Sequence, residues 1–168
     1  EVFIEVYRIL KEGGENYFSD VFADRRVPEE IQNDPVMRGE CMGGAMYIED
    51  FRRLMERCGF KKLYITEQTP IQPHDFEIAR LVGDIQFFSC TVRAFKCAEL
   101  EDREENYGES ATYLGTLAEN SRYMDFDETI RFVKKKSLGV SGNVAEILRQ
   151  SRFARHFNVE GNRDTHYG

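Results

Sequence analysis

The sequence predicts an α/β fold: the later strands and helices of a doubly wound sheet, with helices on its faces, followed by a small α+β appendix. Three observations predict it. Along residues 1–97 the apolar spacing switches between the helical and the strand period, giving helix, strand, helix, strand, helix, strand. The run over 85–97 is long and rich in Phe, Thr and Val, as an antiparallel strand at the sheet's edge would be. A charged break over 99–105 then separates this part from shorter apolar runs.

The first helix carries Val2, Val6 and Ile9, with Phe3, Tyr7 and Leu10 beside them, until Gly13 and Gly14 stop it. It has no cap and no preceding turn, as expected of numbering that starts partway through a larger protein. Residues 15–22 read as a strand around Tyr17 and Phe18. Residues 23–47 are rich in Pro, Asn, Asp and Gly, with short helical fragments near 28–32 and 35–38. A connection this long is uncommon unless it forms a lid or binding loop, so a site is sought there first. Ile48, Phe51, Met55 and Cys58 form the stripe of an amphipathic helix that Gly59 ends. A strand over 62–69, a helix over 75–82 and the strand over 85–97 complete the alternation. In the appendix, 107–117 and 123–133 read as short strands, before a helix over 144–152 capped by Asn143 with Glu146 three residues on.

Composition excludes several classes of function. With 23 basic against 30 acidic residues the formal charge is -7, which repels phosphate backbones and anionic lipids. Nucleic acid and membranes are therefore not expected partners, and the run Lys134-Lys135-Lys136 reads as a solvated loop. No apolar run approaches the roughly 18 residues of a membrane helix, so a cytoplasmic protein is expected. A chain of 168 residues with a full apolar complement does not need disulfides, so Cys41, Cys58, Cys90 and Cys97 are expected as reduced thiols.

The segment Glu5-Val6-Tyr7-Arg8-Ile9-Leu10-Lys11-Glu12-Gly13-Gly14-Glu15-Asn16-Tyr17-Phe18-Ser19-Asp20 resembles the helix, glycine turn and strand that follow the cofactor site of class I methyltransferases. The next stretches narrow the family. Asp20 to Pro28, the run Gly39-Glu40-Cys41-Met42-Gly43-Gly44-Ala45-Met46-Tyr47, and Gly83-Asp84-Ile85-Gln86-Phe87-Phe88-Ser89-Cys90-Thr91-Val92-Arg93-Ala94-Phe95-Lys96 are similar to arsenite S-adenosylmethionine methyltransferases. The similarity continues at Ser110-Ala111-Thr112-Tyr113-Leu114-Gly115 and Ser151-Arg152-Phe153-Ala154, so it covers nearly the whole chain.

That resemblance implies the second half of a Rossmann-like class I methyltransferase sheet with an arsenic-binding excursion, plus a small α+β C-terminal domain. It places the later part of the methyltransferase domain at 1–96 and an accessory domain at 97–168. It also implies S-adenosylmethionine as methyl donor, arsenic(III) as substrate with antimonite as a possible second one, and glutathione or thioredoxin as thiol reductant. Cys41 and Cys90 match the family's thiol positions, as catalytic residues that hold the metalloid. Arsenic(III) is soft and selects thiolate over imidazole or carboxylate, which agrees with such a pair.

Read from the residues alone, Cys41 lies between glycines in the irregular excursion, open to a ligand. Cys90 and Cys97 are an odd number of residues apart and so face opposite sides of an unbroken strand, with Phe88 and Val92 beside the first, and Phe87 and Phe95 beside the second. Burial competes with ligation for both, and the second ligand stays between them. Cys58 completes a helical stripe and reads as packing. His74, His156 and His166 lack metal-site spacing and read as surface or capping residues. No glycine-rich loop follows a strand, so the donor site is expected outside the chain. Two other classes remain open: a stand-alone thiol module that captures soft metalloids, and a methyltransferase with a carbon or nitrogen substrate whose cysteines are structural.

Overall fold

The computed structural model describes residues 1–73 and 75–168; His74, expected at the surface, lies outside the described residues. Helix α1 (Val2–Ile9) leads into strand β1 (Gly14–Ala23) through Gly13, whose φ is +75°. A Cβ at Gly13 would stand 2.1 Å from the carbonyl oxygen of Gln150, so this tight turn needs glycine both for its backbone and for its close approach to the C-terminal part. Lys96 closes α1 from behind, its Nζ donating to the carbonyls of Tyr7 and Leu10 at 2.9 Å each. The face that α1 packs inward is Phe3, Val6, Tyr7 and Leu10, whereas Val2 and Ile9 are exposed.

The excursion after β1 folds into two single-turn helices, α2 (Glu29–Asn33) and α3 (Pro35–Gly39), where the prolines announce them. It returns as the short strand β2 (Met46–Tyr47), parallel to the end of β1. Helix α4 (Ile48–Arg57) buries Phe51 and Met55, as its stripe requires, and ends at Cys58. Strand β3 (Tyr64–Ile71), helix α5 (Phe76–Val82, capped by Asp75) and strand β4 (Phe87–Lys96) follow.

The four strands are ordered β2-β1-β4-β3. Strand β4 is antiparallel, as expected, but it is not at the edge: it runs between β1 and β3 and pairs with both. Its length permits this, because a strand buried on both faces can accept neighbours on both sides. Strand β1 pairs with β2 only at Phe22 and Ala23, so residues 14–21 present one edge with no partner strand among the described residues.

Even-numbered residues of β4 face α1 and α4, where Phe22, Phe51, Met55, Phe60, Cys90, Val92 and Ala94 form one core. Phe87, on the other face, belongs to a second core under the excursion with Met37, Met42 and Val82. The third core surrounds the C-terminal part and takes in Tyr64 of β3 and Phe95 of β4.

That part holds β5 (Ser110–Tyr113) between β8 (Ser137–Gly139) and β9 (Phe157–Glu160), and a hairpin of β6 (Tyr123–Asp125) and β7 (Arg131–Val133). Helix α6 (Gly142–Gln150) lies against them. Its cap is Ser141, whose Oγ accepts from the Val144 N–H at 3.3 Å. Asn143, expected as the cap, is fully buried and ties the preceding loop instead: it accepts from the Glu101 N–H and donates to the carbonyls of Glu101 and Arg103. His156 is a second correction. It is buried, with Nδ1 2.7 Å from Thr116 Oγ1 and Nε2 accepting from Arg155, and burial lowers its pKa. His166 is exposed beside Glu105, and Lys134 to Lys136 form an exposed turn, as expected.

Candidate thiol site

Cys41 is placed by α3. Asp34 starts that helix, its Oδ1 accepting from the N–H groups of Val36 at 2.8 Å and Met37 at 3.0 Å, with Pro35 at the position that needs no donor. The helix lasts one turn before Glu40 N–H donates to Val36 O and Cys41 N–H to Arg38 O. Cys41 then takes φ +63°, and Lys135 is the only other non-glycine residue with positive φ among the described residues. A left-handed backbone costs an L-residue roughly 1–2 kcal/mol, and glycine usually occupies such a helix end.

The turn is held from below. Gly43 N–H donates to Met37 O at 2.8 Å, and a Cβ at Gly43 would press to 3.1 Å on Arg38, so a larger residue here would have to displace that neighbour slightly. Gly39 and Gly44 have open space around them. Met37 and Met42, 0% and 1% exposed, anchor the turn in the core beneath the excursion. Cys41 is exposed above them. Buried anchors on both sides hold a strained turn whose thiol stands exposed to solvent.

Cys90 lies in the middle of β4, opposite Asp20 of β1 and Gln68 of β3. Its side chain is buried in the core beneath α4, and its thiol donates to Gln68 Oε1 at 3.7 Å. Burial, reinforced by the Glu128 charge and opposed by Arg52, pushes this thiol up to about 11. Both flanking side chains, Asp20 and Gln68, are exposed, so the sulfur is one side chain from solvent. The periodicity of the sequence did not reveal these two neighbours, because it gives the face of a strand but not its partners.

Cys97 is buried in the C-terminal core with Phe95, on the other face from Cys90, and burial with the Glu12 charge raises it to about 11 as well. Cys58 ends α4 half-buried against the core. Cys90 pairs with Asp20, three residues before the end of β1, and the excursion that bears Cys41 rejoins β1 at Phe22. No hydrogen bond links the two thiols, and no cluster of three or more His, Cys, Asp or Glu side chains gathers as metal ligands among the described residues.

Exposure orders the four thiols for chemistry. A small alkylating agent at neutral pH is expected to label Cys41 first, Cys58 more slowly, and Cys90 and Cys97 last, since a thiol at about 11 is ionised in roughly one molecule in 10,000 at pH 7. Mass spectrometry of the native protein reads the order. Labelling of Cys58 ahead of Cys41 would contradict this placement.

The fold matches known proteins. The mixed α/β architecture is that of a methyltransferase from Chlamydomonas reinhardtii, described as CrArsM, an arsenic (III) S-adenosylmethionine methyltransferase. Its crystal structure matches with a TM-score of 0.94 and 43% identity over 99% of this chain and 56% of its own. Residues 107–166 match the family model described as the arsenite methyltransferase C-terminal domain. The arsenite methyltransferase of Aquipseudomonas alcaligenes is 41% identical over 98% of this chain and 47% of its own length, and that of Homo sapiens is 34% identical over 95% and 42%. The chain belongs to the arsenite methyltransferase family, as the C-terminal half, and spans about half the length of the curated relatives it matches.

Proposed function

We propose that this chain is the arsenic-holding part of an S-adenosylmethionine-dependent arsenite methyltransferase, with Cys41 and Cys90 as its thiol ligands and a small thiol as the third. The observation that carries this reading is Cys41, an exposed cysteine held in a left-handed turn between two buried methionine anchors. Strain of this kind persists where the surrounding structure over-determines it, and it clusters at ligand sites.

The high pKa of Cys90 suits this ligand. Arsenite arrives as neutral arsenous acid, and each arsenic–sulfur bond forms as the thiol proton leaves with a hydroxide as water. Two thiols and one arsenous acid thus give a neutral dithiolate complex and two waters. No net charge enters the core, so the burial that opposes a free thiolate at Cys90 does not oppose this adduct. Antimonite shares the chemistry and belongs to the same reading. Bound in this way, arsenic keeps its lone pair, and the rigid turn and strand orient it.

The residues present do not fit the methyl donor. Strand β1 leads to α2 through Asp24-Arg25-Arg26-Val27-Pro28, and β2 runs directly into α4, so neither connection offers the glycine-rich cradle that a nucleotide-like donor requires. In this reading the donor site lies in the half of the relatives that the chain does not span, and the open edge of β1 over 14–21 is where that half would continue the sheet. Residues 1–96 then close the methyltransferase domain and 97–168 form its accessory domain, in a cytoplasmic enzyme served by glutathione or thioredoxin. Among the described residues no helix is long and apolar enough to cross a membrane.

Two titrations test this. Arsenite added to the reduced chain is expected to give thiolate-to-arsenic charge-transfer absorbance that saturates at one arsenic per chain. Calorimetry with S-adenosylmethionine is expected to show no binding. Saturable donor binding would put the donor site within this chain, and absence of arsenic absorbance would remove the arsenic-holding role.

A further inference from the structure

The face of the sheet opposite Cys90 carries a second constellation. Arg93 of β4 is 5% exposed in a strand that is otherwise apolar or small, Thr91-Val92-Arg93-Ala94-Phe95. Its guanidinium carbon stands 5.2 Å from the Tyr17 ring and 5.5 Å from the rings of Phe126 and Phe153. Its Nε and Nη1 are buried and donate to no acceptor. Glu15 Oε1 lies 3.3 Å from Nε, within ion-pair range but without hydrogen-bond geometry. The other oxygen of Glu15 is taken by Arg152, at 2.7 Å.

Two guanidiniums therefore share one carboxylate. Among the described residues Glu15 is the ion-pair partner of both, which leaves one positive charge uncompensated. A buried donor without an acceptor costs free energy unless something fills it, so each such orphan calls for a partner or a reason. Both arginines line a cavity of about 600 Å3 between the sheet and the C-terminal part. Phe153 and Met124 give it apolar wall, and at its exposed mouth stand the carboxylates of Glu67 and Glu119. Asp125, also in the lining, is already paired with Arg131.

A cationic floor, apolar walls and an acidic mouth select one class of molecule. We propose that this cavity binds an amino-acid zwitterion with an apolar side chain, its carboxylate against Arg93 and Arg152 and its ammonium toward Glu67 and Glu119. A bidentate or forked contact from guanidinium to carboxylate is the geometry arginine offers best. Multiply charged anions are disfavoured by the mouth, and amines without a carboxylate by the floor. The cavity opens on the face of β4 that Arg93 occupies, whereas Cys90 points to the other, so this site is separate from the thiol site.

Ligand-observed NMR titration of the purified protein tests it, with leucine as probe and leucinamide, 4-methylvalerate and inorganic phosphate as comparisons. Leucine is expected to bind saturably. Leucinamide, which lacks the carboxylate, and phosphate are expected to show at least tenfold weaker binding, and 4-methylvalerate, which lacks the ammonium, to fall between them and leucine. Arg152→Ala, at an exposed side chain, should weaken leucine at least tenfold while leaving the fold intact, and Glu67→Gln with Glu119→Gln should bring leucine down to the level of 4-methylvalerate. No saturable leucine binding by the folded protein, or binding unchanged in Arg152→Ala, would overturn the site. Equal binding of leucine and 4-methylvalerate would overturn the zwitterion as its ligand.

Discussion

Replacing Cys41 with serine is expected to weaken arsenite binding by about 100-fold or more, and Cys90→Ser to do the same. The size follows from chelation: once one sulfur holds arsenic, the second meets it at the effective concentration of an intramolecular partner, worth about 10² to 10⁴ in avidity. Serine keeps the shape but lacks a thiophilic donor. At Cys90 the change puts a hydroxyl into the core beneath α4, so Cys90→Ala serves as a second variant, with circular dichroism and a melting curve to show that both remain folded. Cys58→Ser is expected to titrate like the parent, because that thiol is packed at the end of α4. Charge-transfer absorbance titrated for each variant reads the result. A lost titration in Cys97→Ser with an unchanged one in Cys90→Ser would transfer the second ligand to Cys97, across the strand.

The largest effect on stability is expected at Arg149. Its Nη1 lies 2.6 Å from Oε1 of Glu109, a carboxylate 1% exposed whose Oε2 has no partner, and its Nη2 donates to Gly161 O at 3.0 Å. Arg149→Ala leaves that carboxylate buried and alone. Breaking a buried pair from one side costs about 3–5 kcal/mol, and the lower end applies because the Arg149 side chain is 32% exposed. Denaturant titration of the parent and variant measures it. Removing both charges together, as Arg149→Met with Glu109→Leu, is expected to recover most of the loss. Equal stability of Arg149→Ala and the parent would show that water already reaches Glu109.

What the sequence disclosed divides along physical lines. Local signals carried well: the stripe Ile48, Phe51, Met55 gave α4, the prolines at 28 and 35 gave the two short helices, and the glycines at 13 and 14 gave the turn into β1. Each of these depends on neighbours within about one helical turn. The order of strands does not, since the apolar pattern of 85–97 is satisfied at an edge or in the centre, and only the partner strands decide. The cap of α6 failed for a related reason. Ser141 and Asn143 are both good caps, and Asn143 is withdrawn by a loop some 40 residues earlier in the chain. At the thiol site the glycines around Cys41 were legible, whereas Asp20 and Gln68 beside Cys90 come from two other strands. Arg93 carries a local signal of its own: a lone arginine in an apolar strand asks for a partner before anything else.

The backbone at position 41 also bears on how the sequence can drift. A mutation to glycine there would relieve the left-handed cost, so random change filtered only for folding would be drawn toward losing the side chain. The turn would survive, because Gly43, Met37 and Met42 hold it. A lineage that keeps cysteine at this point forgoes the easier residue generation after generation, and the only thing cysteine adds in exchange is sulfur.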